Sequence, residues 1–307
     1  MPYKNSRVDR PLTNLSIKYV PEGYICNQAL TPLPVPRWTG ILAGYGTAHL
    51  QLNSTRVFDR GEYRTVQTVD RNLTTTYRVD NHGLKDIVSE RDREEAESPF
   101  MARNDVTMGL RTLLMTEKEH TLSTLLTTAA NYNSANTTTL SGNAQWSDYT
   151  NSDPLANIKD AKIAVFNGIK MPVNAAIIPY NVMQTLRFHP KLTGIYGQTG
   201  KFAPLSDEQI GTALGIPLIL VPMAGYDNAG TETLFWDKDV VLYHRAPRAM
   251  RMQRTFGYGL SKRGHESRVF IKNPEAMVNS ELILSDMAYS FRIQHNQGGY
   301  LFKAAIA

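Results

Sequence analysis

A single cysteine, Cys26, is all the thiol chemistry that the 307-residue chain contains. That excludes a disulfide framework and any cysteine-based zinc cluster, so the fold rests on packing and hydrogen bonds, as suits a reducing compartment. No run of eighteen apolar residues occurs and the N-terminal MPYKNSRVDR has no apolar core, so neither membrane insertion nor secretion is signalled and a soluble chain is expected. The Asn-x-Ser/Thr triplets at Asn14 and Asn53 then count as chance in a chain rich in Asn and Thr. Charge is only mildly one-sided. With 33 Lys and Arg against 28 Asp and Glu the net charge of +5 permits contact with nucleic acid without demanding it.

Catalytic signatures are missing as well. Gly197-Gln198-Thr199-Gly200-Lys201 lacks the first glycine of a phosphate loop, where Ile195 stands, and Phe202 replaces the hydroxyl residue that would hold magnesium. Gly259-Leu260-Ser261-Lys262-Arg263-Gly264 places its second glycine one residue too late for a nucleophile elbow. Glu117-Lys118-Glu119-His120 is half of a di-iron motif with no second copy, and reads as a solvated helix face. The seven histidines show no metal-ligand spacing. No catalytic, cofactor-binding or metal-binding residue is assigned, and the expectation is a protein that is not an enzyme.

What is present falls into distinct stretches. Residues 1 to 38 show no clear amphipathic period and end in Pro32, Pro34 and Pro36, which impose extended backbone, so the stretch reads as an arm without helix. Residues 45 to 83 contain only 12 apolar residues in 39, with no Ile, Met or Trp. Alternating runs at 48–52 and 76–79 with a turn at Asp59-Arg60-Gly61 predict a long hairpin. Ordering each residue costs about 1–2 kcal/mol, which a ribbon so poor in apolar side chains cannot offset alone, so a neighbouring molecule must cover it or it stays disordered.

A solvated charge run at 90–95 leads to Ser98-Pro99, an N-cap and first-turn pair. Val106, Leu110, Leu113, Leu114, Leu122, Leu125, Leu126 and Ala129 then mark the stripe of one helix from about Asn104 to Ala130, ~40 Å long. Asp153-Pro154 opens an α/β stretch. It comprises helices over 158–166, 181–188 and 207–214 and strands at 175–178, 218–221, 233–236 and 240–244. The chain closes with strands at 281–284, 288–294 and 300–303.

One basic cluster stands out. Arg245, Arg248, Arg251 and Arg254 recur every third residue, followed by Lys262, Arg263, Arg268 and Lys272, with Glu266 as the only opposing charge between Arg245 and Lys272. Guanidinium groups there can pair with carboxylates of another subunit or with phosphates; intersubunit pairing stands slightly ahead because an extended segment splays the side chains, and a merely solvated surface weighs about as much as either.

The order of elements resembles the Hong Kong 97-type fold of tailed-phage major capsid proteins. Local sequence is similar too: Met1-Pro2-Tyr3, Asp86-Ile87, Ser98-Pro99, Trp146-Ser147-Asp148-Tyr149 with Ser152-Asp153-Pro154, Tyr243-His244-Arg245-Ala246-Pro247-Arg248, Phe256-Gly257-Tyr258-Gly259, and Gly299-Tyr300-Leu301-Phe302-Lys303. The resemblance implies an α+β capsid fold with an N-arm (1–40) and an extended β-hairpin loop (41–85). A peripheral domain with a long spine helix (86–155 and 262–307) and an axial α/β domain (156–261) complete it.

It further implies pentamers and hexamers of this chain in an icosahedral shell around double-stranded DNA, with a portal, in the virion and, during assembly, in the host cytoplasm. With the arm starting at Met1, a separate scaffolding protein and no cleavage are expected. Relatives that crosslink use a loop lysine. Residues 41 to 83 have none and Lys85 lies at the loop base, so stability is expected from interface burial or a decoration protein. An encapsulin-like compartment around protein cargo and a non-shell nucleic-acid binder are the alternatives.

Overall fold

A computed structural model describes residues 7–42, 44–45, 71–72, 76–95, 101–196, 204–249, 253–272 and 280–307. Two sheets organise them. The first is built on Ser280–Ile293, a single 14-residue strand where two separate strands were expected. Along one side it pairs over ten residues with Asp80–Ser89, antiparallel. Along the other lie Gly257–Lys262 and Arg268–Lys272, end to end, with residues 263–267 bulging between them and Ala288 N–H donating to the His265 carbonyl. Thr31–Val35 and Arg7–Val8 add the outer edge. The proline-marked segment is therefore extended, as expected, and sits on an edge, where proline is tolerated.

The arm is not free of helix, as the sequence reading had it. Arg10–Lys18 is helical, capped by Asp9, whose Oδ1 accepts from Leu12 N–H at 2.8 Å, with Pro11 in the first turn. Its apolar face is short. Leu12 and Leu15 pack on Val88, Leu110, Val269 and Ile283, partners that lie far away in sequence.

The second sheet has the order Leu218–Leu220, Ala175–Ile177, Val240–Tyr243, Gly299–Lys303, Thr137–Thr139. Side-chain alternation sends Val241, Tyr243, Ala175, Ile177 and Leu301 to one face and Val240, Leu242, Ala176 and Phe302 to the other. Helices Pro154–Ile169, Tyr180–Arg187 and Asp207–Leu214 cover the second face. Their ends follow from local chemistry: Asp153 accepts from Ala156 N–H at 3.0 Å, Ser206 and Gln209 form a capping box, and Gly215 closes the last helix at φ 58°.

Between the sheets runs the long helix, Ala102–Thr127. Ser98-Pro99, expected to start it, lies outside the described residues; the first helical turn follows Met101 without a side-chain cap. Leu114, Met115, Leu122 and Leu126 are buried against Ala175, Ile177, Tyr243 and Leu301 on one side and Met287, Tyr289 and Phe291 on the other. Leu113, counted in the apolar stripe, is 58% exposed. The sheets also cross the boundaries expected from sequence. Gly299–Lys303 lies in the five-stranded sheet with 175–177 and 240–243, whereas Gly257–Lys262 lies in the long-strand sheet.

Candidate functional site

The base of the expected hairpin is an antiparallel ribbon. Thr39–Ile41 pairs with Thr76–Arg78, and Gly44–Tyr45 with Arg71–Asn72. At the first rung Gly40 faces Tyr77, and a Cβ at residue 40 would stand 2.8 Å from the tyrosine ring, so glycine lets the strands close. Leu42, Tyr77 and Val79 are buried with Val35, Tyr258 and Leu260, which roots the ribbon in the long-strand sheet. Trp38 sits beside this root, its ring edge-on to His265 at 5.0 Å and 5.8 Å from Lys262 Nζ, and remains 40% exposed. The alternating run at 48–52 and the turn at Asp59-Arg60-Gly61 lie outside the described residues.

Next to the ribbon, Asp80–Ser89 forms the other edge of the long-strand sheet and is exposed along most of its length. Val88 turns toward the long helix and is 1% exposed, while Ile87, on the opposite face, is 43% exposed. The following charge run is helical over Glu90–Glu94, and it is not wholly solvated. Arg93 reaches Glu281 at 3.1 Å, where Arg103 from the long helix also donates at 2.6 Å, so a single carboxylate ties two helices to the central strand.

The four arginines do not form one patch. Arg254 is 3% exposed and its Nη1 donates to the Ile169 carbonyl at 2.7 Å, so its side chain works inside the subunit. Arg245 is half-buried, and its backbone is clamped by Asn174, which donates to its carbonyl at 2.8 Å and accepts from its N–H at 2.7 Å. Arg248 is exposed. Arg251 lies outside the described residues. Of the basic residues that follow, Arg268 is engaged with Asp286 at 2.5 and 2.9 Å, and its guanidinium stands over Phe270.

The reading of 117–120 as a solvated face is corrected at Glu119, which is fully buried. Its Oε2 accepts from the N–H groups of Ile25 (3.1 Å) and Cys26 (2.7 Å), and its Oε1 from Trp236 Nε1 (2.8 Å). Burial raises its pKa above the usual carboxylate value, and these donors pull the other way. The carboxylate thus joins the arm segment at 25–26, the long helix and the turn before Val240–Tyr243. A signal was present in the sequence: 115, 119, 122 and 126 follow the helical stripe, and the charge at 119 hid a stripe position.

No protein-family model matches the chain. A curated relative, the major capsid protein of Pseudomonas phage JBD67, is 26% identical over 193 residues, 62% of this chain and 60% of that protein; the match thus spans about three fifths of the relative's length. Among solved structures, a phage-related protein of Bordetella bronchiseptica RB50 superposes with a TM-score of 0.77 at 20% identity, covering 98% of this chain and 99% of that one. The capsid of cyanophage P-SCSP1u gives 0.56 at 10% identity, covering 94% and 90%. With an arm, a rooted ribbon, a long helix between two sheets and a likeness that runs end to end, the chain has the Hong Kong 97-type fold of tailed-phage major capsid proteins.

Proposed function

We propose that this chain is a major capsid protein, a subunit that assembles with its own copies into the icosahedral head of a tailed phage, around double-stranded DNA. The observation that carries this reading is the end-to-end match of the capsid fold, arm and ribbon root included. The physical logic agrees with it. A ribbon whose sequence is too polar to hold itself needs a covering molecule, and a neighbouring copy supplies one at every position of a closed lattice. Heterologous contacts that close rotationally give pentamers and hexamers, and arms and ribbons join them. Each subunit then buries well above the ~1,600 Å² of a standard interface.

In this proposal 1–40 is the N-arm and 41–85 the extended loop. The peripheral unit centres on the long helix and the long-strand sheet, and the axial unit on the five-stranded sheet between 156 and 261, which Gly299–Lys303 joins. Of the basic cluster, Arg248 supports the contact role best, since it is exposed. A scaffolding protein, a portal and a decoration protein are the further partners.

Sedimentation and negative-stain microscopy of the expressed chain, alone and with its scaffold, test the proposal. Rings or shells that protect DNA from nuclease are expected. A chain that stays monomeric at every concentration overturns it, and shells filled with a protein cargo would replace the head with a compartment.

A further inference from the structure

Between the long helix, the segment at 26–30 and the strand Ser280–Ile293 lies a cavity of about 180 Å³. Two cations share it. Arg111 and Lys118 are seven residues apart on the long helix, two turns, and so project from the same face. Arg111 is 6% exposed, its Nε has no hydrogen-bond partner, and its Nη1 meets only the soft sulfur of Met287 at 4.0 Å. Lys118 Nζ donates to Asn27 Oδ1 at 2.7 Å and stands 5.4 Å from the centre of the Tyr289 ring.

The expected counter-charge is missing. Among the described residues no carboxylate lies within ion-pair distance of either cation. Glu119, adjacent in sequence, has both oxygens committed to Ile25, Cys26 and Trp236. Burial pushes the Cys26 thiol up to about 12, so it is neutral, and Glu266 at the cavity rim is exposed. A buried guanidinium without a carboxylate partner is costly, and an anion held in the cavity offsets that cost.

We infer that this cavity is an oxoanion site, in which a carboxylate or phosphate group bridges Arg111 and Lys118. Guanidinium offers the planar fork that two oxygens of such a group match, and the lysine adds a point charge behind it. Two sources have this chemistry: a free oxoanion, and a carboxylate side chain of a second copy of this chain. The site stands on the geometry of one subunit and does not require the capsid reading.

The test begins with the unassembled chain. Inorganic phosphate is titrated against chloride at matched ionic strength while the melting temperature is followed in the wild type, in Arg111→Met, which fills the same space without charge, and in Lys118→Gln. A saturable rise of roughly 5 °C or more at phosphate a hundredfold above its dissociation constant is expected for the wild type. It should vanish in Arg111→Met and need about tenfold more phosphate in Lys118→Gln, leaving only the unsaturable stabilisation that phosphate gives any protein. Assembled particles imaged without phosphate then separate the sources. Density on Arg111 continuous with a neighbouring chain identifies a carboxylate, and isolated density that appears only with phosphate identifies a free anion; either supports the site. The same phosphate response in all three proteins, together with a cavity holding nothing but water in the particle, overturns it.

Discussion

The five-stranded sheet and the edge of the long-strand sheet are made of the same kind of backbone ladder and are finished in opposite ways. Val240–Tyr243 is buried at all four positions, with the long helix on one face and three helices of the same chain on the other. Asp80–Ser89 makes a longer ladder, ten pairs, yet Val88 is its only fully buried residue. A strand of that length, exposed and, among the described residues, paired along one edge alone, invites aggregation unless something specific covers it. The first region therefore holds the chain together, and the second, with the ribbon rooted beside it, is under the proposed function the face that a neighbouring copy covers. Substitutions that act on one region and spare the other test this division.

The largest effect is expected in the covered sheet. Val241→Asp puts a carboxylate at a fully buried position between Ile177 and Leu301, with no cation or hydrogen-bond donor provided for it. The cost exceeds about 4 kcal/mol, and the chain should be recovered unfolded or insoluble, as judged by circular dichroism and sedimentation. Glu119→Gln comes next. A carboxamide has one acceptor oxygen where the structure uses two, so its NH2 group must face either Trp236 Nε1–H or the Ile25 and Cys26 N–H groups. A loss of about 3 kcal/mol is expected, a fall of roughly 5–10 °C in melting temperature with the fold retained. An unchanged melting temperature would mean that Glu119 does not tie the long helix to Ile25, Cys26 and Trp236.

These two positions also show what could be read in advance. The Asp153-Pro154 helix start was legible because Asp153 acts on its own neighbours in sequence. The long helix was legible from its period. Glu119 was not, because its partners at 25, 26 and 236 come together only in the folded chain, and a charged residue on a helix is usually solvated. The helix Arg10–Lys18 escaped for a related reason: its few apolar residues gain their stability from Val88, Val269 and Ile283. The arginines at 245–254 were an even cluster in sequence, but the chain turns Arg254 inward to Ile169 and leaves Arg248 outside. Of the expected hairpin, the alternating run at 76–79 was legible as the strand Thr76–Arg78, while the run at 48–52 and the turn lie outside the described residues.

A smaller effect depends on acidity. His189 is fully buried; its Nδ1 accepts from Lys191 N–H at 3.2 Å, which leaves Nε2–H to donate to Ser152 Oγ at 3.0 Å. Burial lowers its pKa, as it does for His265 and His295. A group whose native pKa is depressed contributes fully above its unfolded value, ~6.5, and loses that contribution as pH falls through the native pKa. Melting temperature should therefore drop between pH 7 and pH 5. His189→Gln removes one titrating group and should give a shallower slope over that interval. Equal slopes would mean that His189 does not carry the acid sensitivity.

The smallest effect on the subunit and the sharpest on assembly are expected at Ile87. Its side chain is 43% exposed on the face turned away from the long helix, whereas neighbouring Val88 carries the packing. Ile87→Asp removes little buried surface and places its charge in water, so the melting temperature of the unassembled chain should move by no more than ~0.5 kcal/mol would produce. In the proposed shell the same carboxylate would be enclosed against a neighbouring copy without a partner, at a cost repeated for every copy, and shells should not form. Velocity sedimentation of wild type and variant under assembly conditions reads this directly. A strongly destabilised monomer would mean that the chain covers this face itself, and normal shells would mean that no neighbour touches it; either result would erase the contrast between the two sheets.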